Sequence, residues 1–206
     1  MHSDSSNLKI YNRIKDMPGD SVFSAQDFLD IAEYNTVRQA LLRLEKDGKI
    51  QKLMRGLYYH PAYSSLLEEY EAPSMNKTAE AIARKFNWNI VPTGDTALNI
   101  LGLSTQVPAK WEYYTDGPYH SFKIGNLSLD FKHRNNREIS GMSADTAMVI
   151  QALKSIGRDR ITDEVLSAIR RRFDEDSLQV MLQESKQSSM WIHEAVRRMC
   201  GSGEVQ

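Results

Sequence analysis

A run of amide and basic side chains between residues 35 and 55 offers the chemistry needed to contact nucleic acid. Asparagine and glutamine can form two hydrogen bonds with adenine, arginine can do the same with guanine, and both lysine and arginine pair with phosphate. We therefore predict a set of DNA-binding residues in this segment. They are Asn35, Thr36, Arg38, Gln39, Arg43, Lys46, Lys52 and Arg55.

The distribution of charge supports this prediction better than the total charge does. The 206-residue chain has a formal net charge of −1. Residues 35–60 carry six basic and two acidic groups, a net of +4, whereas residues 1–34 sum to −3 and residues 61–206 to −2. A local basic block on a nearly neutral chain indicates that one face meets phosphate.

A second set of residues, Asp116, Asp130 and Lys132, resembles the pattern of metal-dependent nucleases. Two carboxylates could hold Mg²⁺, and the lysine could stabilise charge on a cleaved phosphate. A simpler interpretation places Asp116 in an Asp-Gly-Pro turn, with Asp130 and Lys132 on one solvated face of a strand. We expect no catalytic residue, metal or cofactor and predict a protein that is not an enzyme, with a nuclease as one alternative.

One further basic run, Arg170-Arg171-Arg172, follows a predicted helix that begins near Thr162. Its simplest role is to pair with the negative end of that helix. The alternative is a second contact with DNA or RNA.

The order of predicted elements indicates how the first set is positioned. These elements are a helix from about Ser6 to Met17, a strand at Val22–Phe23, a short helix capped by Ser24, a helix from an Asn35 cap to about Asp47 with Gly48 after its end, and a hairpin around Arg55–Gly56. This is the order of a winged helix-turn-helix, whose third helix enters the major groove while the hairpin, or wing, contacts phosphate or a minor groove. Many winged helices bind only proteins, so an interaction module is the second alternative.

The remaining pattern predicts a second domain of mixed structure. Residues 62–87 look helical, interrupted by Pro73, and a strand, a short helix and three strands follow before four C-terminal helices. We predict an α+β protein with a winged helix over residues 6–62, a connection over 63–75 and a domain over 76–200. That domain should hold a small, mainly antiparallel sheet and a helical C-terminal half.

Five segments resemble AbiEi-type antitoxins of type IV toxin–antitoxin systems, in the short branch with an N-terminal winged helix. Three lie in the predicted winged helix, at Phe23–Ile31, Val37–Leu44 and Gly48–Tyr58. The other two, Pro92–Pro108 and Ile124–His133, are similar to the central block of that family.

The resemblance implies a bacterial abortive-infection protein active in phage defence. Its N-terminal domain would bind inverted repeats in its own promoter as a transcriptional repressor. Its C-terminal domain would counteract a toxin with a nucleotidyltransferase fold, without a tight complex. Because one winged helix covers a short site, we expect a dimer or a cooperative pair on DNA.

Composition predicts the compartment. Cys200 is the only cysteine, so no intramolecular disulfide can form, and no apolar run approaches 18 residues. The first six residues lack the basic start and apolar stretch of a signal peptide. We expect a cytoplasmic protein with no membrane partner.

Overall fold

The structure is a computed structural model. It describes residues 2–61, 63–64, 68–106, 108–134 and 141–201. The chain divides into two compact units, an N-terminal unit of Met1–Asn87 and a C-terminal unit of Trp88–Gln206.

The N-terminal unit contains the predicted winged helix-turn-helix. Its elements are α1 (His2–Asp16), β1 (Val22–Phe23), a 3₁₀ helix (Ala25–Phe28), α2 (Tyr34–Lys46), β2 (Gln51–Met54) and β3 (Leu57–Tyr59). Strand β3 lies between β1 and β2 and is antiparallel to both. The β2–β3 hairpin is the wing, and α2 occupies the position of the helix that enters a DNA groove in this fold.

Local signals in the sequence explain where the helices of this unit begin and end. Ser24 caps the 3₁₀ helix as predicted: its hydroxyl accepts from the N–H of Gln26, and Asp27 accepts from the N–H of Ser24 at 2.7 Å. The N-cap of helix α2 lies two residues earlier than predicted, at Glu33 and not at Asn35. Gly48 follows the helix with a φ of +71°, the left-handed conformation expected after a helix end.

Apolar side chains of α2 anchor it in the core of the unit. Val37 and Leu41 are fully buried in a cluster that includes Ile10 and Ile14 of α1 and Phe28 of the 3₁₀ helix. Because apolar residues recur every three to four positions, the opposite face of α2 is left for polar side chains.

The segment that connects the predicted domains was expected to be helical from residue 62, but its first part is not helical. A short antiparallel pair, β4 (Tyr63–Ser64) and β5 (Glu69–Tyr70), comes first, with the rings of Tyr63 and Tyr70 edge to face at 5.4 Å. Glu68, with a φ of +53°, leads into β5 in a conformation that an α-helix does not allow. The helical part is limited to α3 (Met75–Phe86).

Helix α3 belongs to the N-terminal unit, whereas the predicted boundaries place it with the second domain. The reason is a set of polar contacts that a helical pattern alone does not reveal. Lys77 pairs with Asp20, and Arg84 pairs with Asp27 at 2.9 Å. The boundary therefore falls near residue 87.

Over its described residues, the C-terminal unit combines a four-stranded sheet with five α-helices. Its elements are β6 (Ile90–Pro92), α4 (Gly94–Ile100), β7 (Lys110–Thr115), β8 (His120–Ile124), β9 (Leu127–His133), α5 (Ala144–Ile156), α6 (Asp163–Arg170), α7 (Glu175–Glu184) and α8 (Met190–Met199). The strand order is β6-β7-β9-β8, with β7 and β9 parallel and the other two pairs antiparallel. The prediction of an α+β fold with a mainly antiparallel sheet and a helical C-terminal half is confirmed.

The helices of this unit share one apolar core. Leu153 of α5 lies in it with Ile169 of α6, Met181 of α7 and Val196 of α8, all fully buried. Among the described helices, none has the length and apolar character needed to cross a membrane.

Candidate nucleic-acid interface

The exposed face of α2 carries six of the eight predicted DNA-binding residues. All six side chains are exposed: Asn35, Thr36, Arg38, Gln39, Arg43 and Lys46. At 3.6 residues per turn, Asn35, Gln39 and Lys46 lie opposite the buried Val37 and Leu44. The structure therefore places these amide and basic groups where a helix in the major groove would present them to base edges.

The two edges of this face point in different directions. Arg38 and Arg43 are five residues apart, which places them about 140° from each other around the helix axis. They do not converge on one point. Since a helix in the major groove is flanked by a phosphate strand on each side, the spacing matches contacts with two opposite strands.

The wing supplies the other two predicted residues, and both are exposed. Lys52 lies on β2, and Arg55 lies in the turn before Gly56. Gly56 has a φ of +76°, a conformation that side chains other than glycine adopt at a cost. A glycine at this position lets the hairpin turn tightly beside its neighbours.

A cavity of about 530 Å³ lies between α2, the wing and the end of α3. We call it the wing cavity. Arg38, Lys52 and Arg55 line it together with Lys85 of α3. The other lining residues are Ser24, Ala25, Gln26, Tyr34, Leu41, Leu42, Gly56, Tyr58 and Phe86. None of these described lining residues is acidic, so together they give the wing cavity four positive groups and no negative one.

The cations of the wing cavity differ from other basic residues of the same unit. Arg13 forms two hydrogen bonds with Asp30, at 2.6 and 2.7 Å, and Arg84 pairs with Asp27. Within the described part of the chain, the side chains of Arg38, Lys52 and Arg55 have no ion-pair partner. Their charge is therefore available to an anion from outside the chain.

Lys85 is a site residue that the sequence analysis missed. It lies in the last turn of α3, where a basic side chain is expected for interaction with the helix dipole alone. Its ammonium donates to the main-chain oxygen of Arg55 at 2.7 Å. Burial lowers the pKa of Lys85, and the neighbouring positive charge of Arg55 lowers it further. No local pattern could have shown this contact, because the two residues are 30 positions apart.

Tyr34 is a second missed residue. It lies at the start of α2, lines the wing cavity and is 53% exposed. Leu42, which points outward from α2, is also exposed and lines the same cavity. These two side chains give the wing cavity an apolar part that could contact sugars or thymine methyl groups.

The residues of the nuclease alternative do not form one cluster. Asp116 accepts two hydrogen bonds from Asn89, at 2.7 and 2.8 Å, in the turn after β7. Asp130 lies opposite Glu112 of β7 in the sheet. Asp116 follows Glu112 by four residues, a span of about 13 Å at about 3.3 Å per extended residue. Within the described ranges, no three His, Cys, Asp or Glu side chains come together as a metal site would require.

Asp130 and Lys132 instead belong to a network of ion pairs on one face of the sheet. Lys110 pairs with Glu112 at 2.9 Å and with Asp130 at 3.0 Å, and Lys132 pairs with Glu112 at 2.8 Å. Burial alone would raise the pKa of Asp130, but the hydrogen bond from Ser121 and the ammonium of Lys110 bring it below its usual value. Both carboxylates of the network are thus satisfied by lysines.

Two of the three arginines in the run Arg170-Arg171-Arg172 contact other parts of the C-terminal unit. Arg170 donates to the main-chain oxygen of Met199 at 3.1 Å and to Glu175 at 2.6 Å. Arg172 packs against Gly102, where an added Cβ would lie 2.3 Å from its guanidinium. Arg171 is exposed. The two polar contacts of Arg170, whose side chain is only partly exposed, favour a packing role for that residue.

Comparisons with known proteins identify a family for the chain. The crystal structure of the RV2827C protein from Mycobacterium tuberculosis is similar, with a TM-score of 0.40 and 11% identity, over 98% of this chain and 83% of that one. Among curated protein sequences, none matches. A family model described as a family of unknown function, DUF6088, matches residues 9–181. Since that match covers most of both units, the chain belongs to the DUF6088 family.

Proposed function

We propose that this protein binds duplex DNA through α2 and the wing and represses transcription from its own promoter. The observation that carries the proposal is the wing cavity, where Arg38, Lys52, Arg55 and Lys85 meet and none of the described lining residues is acidic. The cavity adjoins the exposed face of α2, so charge for phosphate and side chains for base edges lie in one unit. A winged helix that binds only proteins would not need four cations gathered in one cavity.

A reporter assay tests repression directly. The DNA upstream of the gene drives a reporter, and the protein is supplied from an inducible foreign promoter. We expect induction to lower reporter output. Replacing both Arg38 and Arg55 with alanine should abolish the effect, whereas replacing Arg197 and Arg198 of α8 should not. Equal output with and without the wild-type protein would contradict autorepression.

We also propose that the C-terminal unit acts as the antitoxin of a type IV system against a nucleotidyltransferase-like toxin. The support is the resemblance of Pro92–Pro108 and Ile124–His133 to that family. The test is co-expression of the adjacent toxin gene with the full chain from a foreign promoter, so that repression plays no part. We expect growth to be rescued equally by the wild type and by the Arg38, Arg55 double variant. No rescue by either protein would refute the antitoxin role while leaving DNA binding intact.

A further inference from the structure

Helix α3 meets the wing although it is not one of the elements that define a winged helix. The ammonium of Lys85 donates to the main-chain oxygen of Arg55 at 2.7 Å. An added Cβ at Gly56 would lie 3.0 Å from the same nitrogen atom. Lys85 therefore rests directly against the turn of the wing.

The rest of the N-terminal unit holds this end of α3 in place. Arg84 donates to the carboxylate of Asp27 at 2.9 Å and to the main-chain oxygen of Val22 at 3.0 Å. With its amide nitrogen turned toward α3, Gln26 donates to the main-chain oxygens of Arg84 and Lys85 at 3.2 and 3.3 Å. These contacts fix the position of Lys85 relative to the 3₁₀ helix that precedes α2.

The resulting arrangement brings two like charges together. Arg55 lowers the pKa of Lys85, and none of the described residues lining the wing cavity is acidic. An ammonium has three hydrogens, and Arg55 accepts only one of them. An anion in the wing cavity would accept the remaining hydrogens and relieve the repulsion between the two cations.

The dimensions and lining of the wing cavity favour a sugar–phosphate backbone over a free anion. A volume of about 530 Å³ exceeds what a single phosphate ion needs. Apolar surface from Leu42 and Phe86 lies beside the cations. A deoxyribose would cover that apolar surface while its phosphate meets the charges.

We propose that Lys85 contacts a backbone phosphate of bound DNA together with Arg38 and Arg55, so that the end of α3 is a third element of the DNA interface beside α2 and the wing. This inference rests on the proposed DNA binding. It adds a contact from outside the winged helix and assigns a ligand chemistry to the wing cavity.

Fluorescence anisotropy with the full chain tests the contact. The probe is a labelled duplex from the DNA upstream of the gene, titrated at several salt concentrations. Replacing Lys85 with methionine removes the charge and keeps most of the side chain. We expect Lys85→Met to weaken binding about five- to tenfold at low salt and to reduce the magnitude of the log–log salt slope by about 0.9, the value for one phosphate.

Two variants control for other effects. Lys85→Arg retains the charge and should bind within about twofold of the wild type. Lys9→Met removes an exposed lysine of α1 that does not line the wing cavity, and its slope should equal that of the wild type. A Lys85→Met slope equal to that of the wild type, with tight binding retained, would overturn the inference and leave the proposed DNA binding intact.

Chemical labelling separates DNA from a free anion. Lys85 and Lys9 are acetylated with and without duplex, and with inorganic phosphate alone, and the extent is read by mass spectrometry. We expect duplex to protect Lys85 and not Lys9. Protection by phosphate without protection by duplex would overturn the inference. If the wild type binds no duplex even at low salt, the proposed DNA binding fails, and the inference fails with it.

Discussion

Arg84 of α3 donates from Nε to Oδ1 of Asp27 at 2.9 Å. The other oxygen of the same carboxylate accepts the N–H of Ser24 at 2.7 Å and so caps the 3₁₀ helix. One carboxylate therefore holds both the helix that precedes α2 and the helix that follows the wing. Because Asp27 links these two helices, the unit that we propose binds DNA includes α3.

Replacing Arg84 with glutamine should weaken the docking of α3. The variant loses the ion pair with Asp27 and the hydrogen bond to Val22, and we expect the free energy of unfolding to fall by about 1 kcal/mol, measured by denaturant titration. Arg197→Gln is the matched control, since among the described residues Arg197 pairs with Glu194 alone, on the exposed side of α8, and it should cost less than about 0.5 kcal/mol. An equal decrease in the free energy of unfolding in the two variants would contradict a docking role for Arg84.

Gly56→Ala should affect both stability and DNA binding. Its φ of +76° is unfavourable for alanine, at a cost of about 1 kcal/mol, and the added Cβ would press on the Lys85 ammonium at 3.0 Å. Gly48→Ala is the control, because Gly48 has a φ of +71° with nothing within 4 Å of an added Cβ. Thermal unfolding should show similar losses for both variants, whereas only Gly56→Ala should lower affinity for duplex. Equal affinities of the two variants for duplex would show that the wing turn does not contribute to DNA binding.

Two residues of the interface should respond differently to replacement by alanine, if the proposed DNA binding is correct. Gln39 faces away from the core of α2, where it can contact a base, and its loss should cost about 1–3 kcal/mol on the correct sequence only. Lys52 of the wing should act through charge, so its loss should weaken binding to all duplexes alike and flatten the salt slope by about one. Anisotropy on specific and scrambled duplexes distinguishes the two effects. Uniform weakening by Gln39→Ala would argue against base contact.

Glu184 should make the stability of the C-terminal unit depend on pH. Burial alone would raise the pKa of Glu184, but hydrogen bonds from Thr146 and from the hydroxyl and N–H of Ser143 hold it below the usual value. A lowered folded-state pKa contributes stability that is present above the unfolded-state value, about 4.3, and is lost as the pH falls through the folded-state value. We expect Glu184→Gln to lower the free energy of unfolding by about 1 kcal/mol at pH 7.

Comparing wild type with Glu184→Gln at low pH checks that the loss of stability comes from the Glu184 carboxylate. As the pH falls through the lowered folded-state pKa of Glu184, the wild-type carboxyl group gains its proton, so the difference in the free energy of unfolding between wild type and Glu184→Gln should narrow. Glu194→Gln, at an exposed position on α8, serves as the control for the substitution itself. A difference in the free energy of unfolding that stays constant from pH 7 to pH 3 would contradict a stabilising role for the Glu184 carboxylate.

Features set by neighbours in the chain could be predicted from the sequence. Ser24 with Asp27 three residues later predicted a capped helix, and Gly48 predicted the end of α2. The turn at Gly125–Asn126 predicted the β8–β9 hairpin, which is present. Each of these depends on main-chain conformation or hydrogen bonds within a few residues.

Features that depend on distant residues could not be predicted in this way. Strand β7 pairs in parallel with β9, although β8 lies between them in the sequence, and periodicity does not specify strand partners. The contact between Lys85 and Arg55 likewise requires α3 to return to the wing. The exposed residues of α2 were predicted correctly as a face, but the cavity beside them was not, because its lining comes from separate segments of the chain.

The most direct test of DNA reading by this unit is the affinity of the wild-type chain for two labelled duplexes, measured by fluorescence anisotropy across a salt series. One duplex carries the DNA upstream of the gene, and the other is a scrambled sequence of the same length and composition. With three or four phosphate contacts per copy, we predict tighter binding to the upstream duplex and a log–log salt slope of roughly −3 per copy. Equal affinity for both duplexes, with no dependence on salt, would contradict the proposal that α2 and the wing read DNA.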